Sequence, residues 1–466
     1  MVTVLLAVVS GLLFFAGFAP FELWFTPYLA VAILFRILCD KSFGQRMTYA
    51  GLTGLAFFLP LLHWSSVYVG SVPWLVLAVG ESLIFSIIGL IRFQRRWESA
   101  LTFSTLFTLI ELMRMKAPFG GFGWGRLGFT QVDSISWIYP LVGVTGISLL
   151  VSSAAFLIIS PFKTLLSFFL ILGISMSITS LLPSNSFERS IQITAIQGGV
   201  DELGINFNER ALRVLERHVE ATTYVPGTEL YVWPENASDV DPVKNERANF
   251  LITNLAQGLD TSLLVGGVER SSHGPINSSI LFGKDGEIVS RYVKQDLAPF
   301  GEFMPMRRLA EAISPYAEQV TDFVPGDRWV KHVIKGLPFQ SLICFEVLDD
   351  DHVKLGTAGS TFMVAQTNNA TFGKSAEAAQ QLQITRARAA ETQREFVVVS
   401  TTGFTSHLDS RGKIVVQAPQ FTPEELTMKI TATNPELQTP AQKLRTWVWA
   451  LGLALILGSV RWKTSR

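Results

Sequence analysis

Apolar residues are spread unevenly along this chain. Residues 1–183 are mostly long apolar runs, 184–440 read as an ordinary soluble domain, and 446–461 are apolar again. A helix that crosses a bilayer needs about 20 mostly apolar residues, because hydrocarbon offers its backbone no other hydrogen-bond partners. Such runs lie near 2–19, 23–39, 47–66, 73–92, 98–114, 136–160, 163–183 and 446–461. Thr26 and Arg36 interrupt the second, and the last is short, with Arg445 and Arg461 placed to snorkel at its ends. The pattern predicts a polytopic α-helical membrane domain of about eight spans. Seven lie in 1–183, a folded domain occupies 184–440, and an eighth span with a tail lies in 441–466.

Basic residues orient this arrangement. Eight spans put both termini on one side. With the N-terminus inside, the inner loops and tail hold Arg36, Lys41, Arg46, Arg92, Arg95, Arg96, Lys163, Arg461, Lys463 and Arg466. The short outer loops hold only Arg114, Lys116 and Arg126. Cytoplasmic loops carry the excess of Lys and Arg, so the 184–440 domain is expected outside, on the extracytoplasmic face of the cell (inner) membrane.

Composition removes several functions. Lys plus Arg equal Asp plus Glu at 38 each, so the chain has no basic footprint for nucleic acid. Two cysteines, Cys39 and Cys344, make no disulfide framework, and six scattered histidines show no metal-ligand spacing. The expectation is no metal and no cofactor. The spans show no midplane cluster of ionisable residues and no obvious inverted repeat, which argues against a transporter.

The 184–440 stretch reads as α/β. Strands are expected near 190–197, 229–233, 262–268, 278–283, 340–345, 361–367 and 395–401. A hairpin is expected at 404–418 with Ser410-Arg-Gly412 at its turn, and helices near 207–222, 244–258 and 376–393. Three of these segments each place one ionisable group beside an apolar run. They are Tyr231-Val-Trp-Pro-Glu235, Tyr292-Val-Lys294 and Ser341-Leu-Ile-Cys-Phe-Glu346. A carboxylate, an ammonium and a thiol make a workable covalent catalyst: the thiol needs a base, and a tetrahedral intermediate needs a cation or N–H donors. Taken singly, each has a plainer reading. Glu235 serves as a strand-end cap, Lys294 as a solvated strand-end lysine, and Cys344 as a small buried hydrophobe.

The motifs together carry more weight. Trp-Pro-Glu at 233–235, Lys294 with Pro-Phe-Gly-Glu at 299–302, and Cys344-Phe-Glu346 resemble the nitrilase, or carbon–nitrogen hydrolase, superfamily. Gly17-Phe-Ala-Pro-Phe21, Glu111-Leu-Met-Arg114, Gly121-Phe-Gly-Trp-Gly-Arg-Leu-Gly128, Asp322-Phe-Val-Pro-Gly-Asp327 and Thr402-Gly-Phe-Thr405 are similar to its membrane branch, the bacterial apolipoprotein N-acyltransferases. The resemblance covers nearly the whole chain.

It implies an αββα sandwich with a Glu-Lys-Cys triad: Glu235 as base, Lys294 for the oxyanion, also lowering the thiol pKa, and Cys344 as nucleophile. Glu302 matches a second family carboxylate that orients Lys294 or a substrate proton, and Phe345 and Glu346 flank the nucleophile as supporting or substrate-binding residues. It further implies a phospholipid acyl donor, a diacylglyceryl apolipoprotein acceptor and a membrane-embedded monomer. A membrane-tethered amidase with water as acceptor is the alternative. Four positions depart from the pattern. Phe345 stands for a usual Tyr, Gly199 for a usual Asn, and Asn369 and Thr371 for a usual Asp and Trp. Outside the triad, Glu111 and Arg114 share a helix face, as an interfacial ion pair or a lipid head-group contact. Residues 303–323 read as an arm that admits lipid chains or as simple packing.

Overall fold

The computed structural model describes residues 1–68, 70–181, 186–204, 208–313, 318 and 320–464. Arg466 of the basic tail and part of the 303–323 arm lie outside the described residues. The chain divides into two compact units. One comprises Met1–Ser66, Gly70–Pro183 and Thr439–Arg466, and the other Val67–Val69 and Ser184–Gln438.

The first unit is helical, and each apolar run contains a helix: Val2–Ala16, Thr26–Leu38, Phe43–Leu61, Ser71–Ser86, Trp97–Lys116, Tyr139–Ser152, Pro161–Leu181 and Thr446–Thr464. Among the described residues, three helical stretches are long and apolar enough to cross a membrane: Ser71–Leu90, Val132–Ile158 and Pro161–Ser180. Val2–Ala16, Thr26–Leu38 and Thr446–Val460 are apolar but shorter. Polar residues dilute the two remaining long helices: Gln45 and Arg46 in one, Glu98, Glu111, Arg114 and Lys116 in the other. The unit's interior is aromatic, with Phe14, Phe57, Phe85 and Phe107 in mutual ring contact.

This unit corrects one expectation. Glu81 of Ser71–Ser86 forms a buried ion pair with Arg114. Glu111 and Arg114 do not pair with each other at a membrane surface; both are buried. The Arg114 Nη2 donates to Trp124 O at 2.8 Å, and Leu127 N donates to Glu111 Oε1 at 2.8 Å. Sequence spacing shows which residues share a helix face, not which partner a loop supplies. Here the partners come from the Gly-rich 121–128 loop.

The second unit is a two-sheet sandwich. Its strands are β1 (Ser186–Gln197), β2 (Leu230–Val232), β3 (Ser262–Arg270), β4 (Pro275–Phe282), β5 (Ile288–Val293), β6 (His332–Ile334), β7 (Leu337–Ile343), β8 (Phe362–Thr367), β9 (Phe396–Ser400), β10 (Ser406–Leu408), β11 (Ile414–Gln417) and β12 (Glu424–Thr433). One sheet runs β12-β1-β2-β3-β4-β5 and the other β11-β10-β9-β8-β7-β6. In each, three central strands are parallel (β1-β2-β3 and β7-β8-β9) and the outer strands antiparallel. The inner faces meet in one apolar core that includes Ile193, Val232, Leu264, Phe339, Val364, Val399 and Ile430. Helices Arg213–Ala221 and Glu246–Leu259 lie against the outer face of the first sheet, through Leu215, Ala248, Ile252 and Tyr231. The architecture is the expected αββα sandwich.

Local differences have local causes. The helix expected at 207–222 runs only from Arg213, because Leu212 is left-handed at φ 69°; residue 207 lies outside the described residues. Strands β6 and β12 and helix Asp350–Thr357 were not expected, and β5 was expected only as the strand end before Lys294. β12 shows alternation, with Met428, Ile430 and Ala432 buried and Lys429 and Thr431 exposed, whereas β6 is too short for any period. The hairpin forms, closed by Asp409 N donating to Lys413 O at 2.9 Å.

Candidate active site

Most of the candidate residues sit where strands end. Glu235 lies three residues past β2, Cys344 follows β7 directly, Asn368 follows β8 directly, and Lys294 follows β5. Two backbone features set this up. A Cβ at Gly266 in β3 would lie 2.2 Å from Pro234 O and 2.8 Å from Glu235 Cα, so only glycine lets the Glu235 turn cross that strand. Cys344 itself is left-handed at φ 50° and opens a tight turn, Cys344–Leu348. A side chain in that region carries strain, which lifts the thiol out of the strand line.

Lys294 is the hub. Its Nζ lies 3.3 Å from Glu235 Oε1 and 2.7 Å from Glu302 Oε2, and the side chain is buried. Asn277 of β4 bridges the two carboxylates, its Nδ2 donating to Glu235 Oε1 at 2.7 Å and to Glu302 Oε1 at 3.0 Å. Asn368 N donates to Glu235 Oε2 at 3.0 Å, and Ala298 N to Glu302 Oε2 at 2.9 Å. The Gln381 amide donates to Cys344 Sγ at 3.5 Å. Each of these acceptors is thus held in one orientation before any substrate arrives.

The charges are unbalanced in a useful direction. Burial raises the Glu235 carboxyl, Glu302 adds to that, and Lys294 works against it. Burial alone would pull Lys294 down, but Glu302 and Glu235 outweigh it and keep the ammonium charged. Burial, helped by Glu235, pushes the Cys344 thiol well up, and Lys294 lowers it by less. Lys294 thus acts on the thiol in the expected direction, but burial and Glu235 outweigh it. The thiol rests neutral beside a carboxylate of raised basicity, so the proton has to move during attack.

Glu346 is buried and ties the elbow down. Its Oε2 accepts from Ile343 N at 2.8 Å, and its Oε1 from Gln295 N and Tyr292 OH at 2.8 Å each. The His352 Nε2 lies 3.1 Å away. One carboxylate therefore links the end of β7 to the residues on either side of Lys294. Phe345 is half-buried beside it.

The structure brings Lys294 into direct contact with Glu235 and Glu302 and puts Cys344 within electrostatic reach of Glu235 and Lys294. Sequence reasoning missed Asn277, Asn368, Glu377 and Gln381. A weak signal existed for Asn277, which opens a polar run, Asn277-Ser-Ser279, inside an otherwise apolar strand. Helical spacing alone does not separate Glu377 and Gln381 from their polar neighbours.

Comparison with known proteins gives this geometry a family. Residues 10–157 match the apolipoprotein N-acyltransferase N-terminal domain, and 193–434 match the carbon-nitrogen hydrolase family. A protein of Mycolicibacterium smegmatis named apolipoprotein N-acyltransferase is 31% identical over 97% of this chain and 84% of its own. The chain belongs to the apolipoprotein N-acyltransferase family. A relative of the same name from Pasteurella multocida is 28% identical over 98% of this chain and 94% of its own. A solved CN-hydrolase superfamily protein from Xanthomonas campestris matches with TM-score 0.40 and 16% identity, over 52% of this chain and 91% of that one.

Family membership makes the departures informative. Gly199 has φ 72°, the left-handed region that Gly and Asn tolerate best, so Gly can replace Asn there without changing the backbone. Gly403 of the Thr402-Gly-Phe-Thr405 motif packs so close that a Cβ would lie 2.3 Å from Asn369 Oδ1. Thr371 is half-buried in the turn Ala370–Phe372.

Proposed function

We propose that the protein transfers an acyl chain from a phospholipid to the N-terminal amine of a diacylglyceryl-cysteine apolipoprotein, through a thioester on Cys344. The observation that carries this is the buried Glu235–Lys294 contact at 3.3 Å, close to the thiol that ends β7, in a chain of this family. Glu235 takes the thiol proton as sulfur attacks the ester carbonyl. Lys294 holds the resulting oxyanion, and Glu302 with Asn277 fixes Lys294. The C–O bond then breaks, and the lysophospholipid oxygen leaves with the proton from Glu235. In the second half-reaction the free α-amine attacks the thioester, the C–S bond breaks, an amide forms, and Cys344 regains its proton. Both half-reactions conserve the acyl oxidation level, so the scheme calls for no cofactor.

The substrates' lipid anchors account for the membrane unit. In this scheme the helices form eight spans, seven in 1–183 and one in 441–466. The 184–440 domain faces outward at the inner membrane, and a single chain suffices. The basic-residue asymmetry supports that orientation.

The test uses purified protein and phospholipid labelled in its acyl chain. Hydroxylamine-labile label should accumulate on Cys344 and discharge onto a diacylglyceryl peptide bearing a free N-terminal amine. Prompt release as free fatty acid, with no effect of the peptide, would instead establish a membrane-tethered hydrolase.

A further inference from the structure

Behind Cys344 lies a second polar chain that the scheme above does not use. The Asn369 Nδ2 donates to Glu377 Oε2 at 2.7 Å and to Gln381 Oε1 at 2.9 Å. Its Oδ1 accepts from Ser400 Oγ at 2.5 Å and from Thr367 Oγ1 at 3.0 Å. Ser400 Oγ is itself an acceptor for Gly403 N at 2.8 Å, so its proton is free to point at Asn369. These contacts leave Asn369 one amide orientation. They leave Gln381 one as well: its oxygen faces Asn369, and its Nε2 faces Cys344 Sγ at 3.5 Å. All three side chains are buried, as are Ser400 and Thr367.

We propose that Glu377, Asn369 and Gln381 form a relay that aims an amide N–H at the Cys344 sulfur and so sets the reactivity of the thiol. Gln381 touches the reacting atom; Asn369 and Glu377 are positioning residues. The inference rests on Cys344 being the nucleophile of the proposed function. It also accounts for Asn369, where the family usually has Asp. A carboxylate at 369 could only accept. It would draw the Gln381 N–H away from sulfur and leave two carboxyl groups in contact at Glu377.

Glu377 supplies a pH signature. Burial raises its carboxyl to about 8, with the Asn369 hydrogen bond opposing and Glu235 adding to the rise. The charged groups that face the thiol are Glu235 after β2, Lys294 after β5 and Glu377 on its own helix. Below pH ~8 Glu377 is neutral; above it, the new negative charge raises the thiol further.

The test is the rate of iodoacetamide alkylation of Cys344 against pH in the full-length protein, with the modified peptide read by mass spectrometry. This measures thiolate character whatever the acyl chemistry. Gln381→Leu should slow alkylation about ten-fold at pH 7, the size of one lost hydrogen bond to a charged group. Asn369→Asp, which keeps the number of non-hydrogen atoms, should slow it by a similar factor. Glu377→Gln keeps the acceptor for Asn369, so its rate at pH 7 should stay within about two-fold of wild type. At pH 9 it should exceed wild type, because the opposing charge is gone. Unchanged rates in Gln381→Leu and Asn369→Asp, or identical pH profiles for Glu377→Gln and wild type, would overturn the relay. Failure of the proposed function has a different signature: normal alkylation of wild-type Cys344 with no acyl label from phospholipid.

Discussion

Each unit of this protein buries charge, and the two bury it differently. In the helical unit Arg114 meets Glu81 and Trp124 O, while Glu111 accepts from Leu127 N. The contacts to Trp124 O and from Leu127 N fix the 121–128 loop. In the sandwich, two carboxylates converge on one ammonium beside a thiol that rests neutral. One arrangement sets a single carboxylate against a single cation, and the other leaves a carboxylate in excess. Matched buried charge serves mainly to specify structure. Mismatched buried charge shifts pKa values, which is how a site holds a base ready.

The largest expected effect tests the mismatched site. Glu235→Gln keeps the contact with Asn368 N but removes the base, and acyl-thioester formation should fall by about 10²–10⁴-fold. Lys294→Met should cost about 10²–10³-fold. Glu235→Gln should not lower the denaturation midpoint as far as a change at Arg114, because Lys294 still meets Glu302. If Glu235→Gln unfolds the sandwich instead, the contrast between the two units fails.

The matched site should answer in stability. Arg114→Met leaves Glu81 buried without its cation, at a cost of about 3–5 kcal/mol. Adding Glu81→Leu removes the orphaned charge and should recover most of that loss. About 1–3 kcal/mol should remain, because Trp124 O has lost its donor. Denaturant titration in detergent reads both numbers. A double variant no better than Arg114→Met would mean that the pair does more than neutralise itself.

A smaller effect is expected at Gly403. A methyl there would press on Asn369 Oδ1 and Ser400 Oγ, so Gly403→Ala should cost about 1–3 kcal/mol. It should also slow Cys344 alkylation, since the contact between those two atoms holds Asn369 in the orientation the relay needs. Loss of stability with unchanged alkylation would separate packing at Gly403 from the relay.

What the sequence disclosed follows from how far each signal reaches along the chain. The αββα architecture was legible because hydrophobic strands and helical periods alternate over the whole 184–440 stretch. Glu235, Lys294, Glu302 and Cys344 were legible because each sits in a short motif whose order matches a family. The span count was less so. Helices such as Trp97–Lys116 carry charged residues that make sense only once a partner such as Glu81, 33 residues away from Arg114, is in place. Asn277 and Gln381 were hidden for a related reason. Their roles depend on which nitrogen faces which oxygen across strands far apart in sequence, and no local pattern encodes that.

The smallest expected effect lies at Glu346 and His352, where buried charge in the sandwich is matched after all. Burial alone would raise Glu346, but His352 and the N–H groups of Ile343 and Gln295 outweigh it and hold the carboxyl low. Burial alone would lower His352, but Glu346 outweighs it and holds the imidazole above its ordinary range. The His352 contribution to stability is therefore complete below the unfolded pKa of about 6.5 and is lost as pH rises through the folded value. His218 and His332 act oppositely. Burial depresses them to about 4 and about 3, so they cost stability as pH falls below about 6.5. The useful readout is thus the difference between wild type and His352→Gln, which keeps an N–H donor toward Glu346 but cannot take a charge. That difference should be on the order of 1 kcal/mol at pH 5.5 and shrink toward pH 9. Alkylation of Cys344 should be little changed at either pH. A pH-independent difference would mean that His352 acts through its ring contact with Trp329, at 4.4 Å between centroids, rather than through its charge.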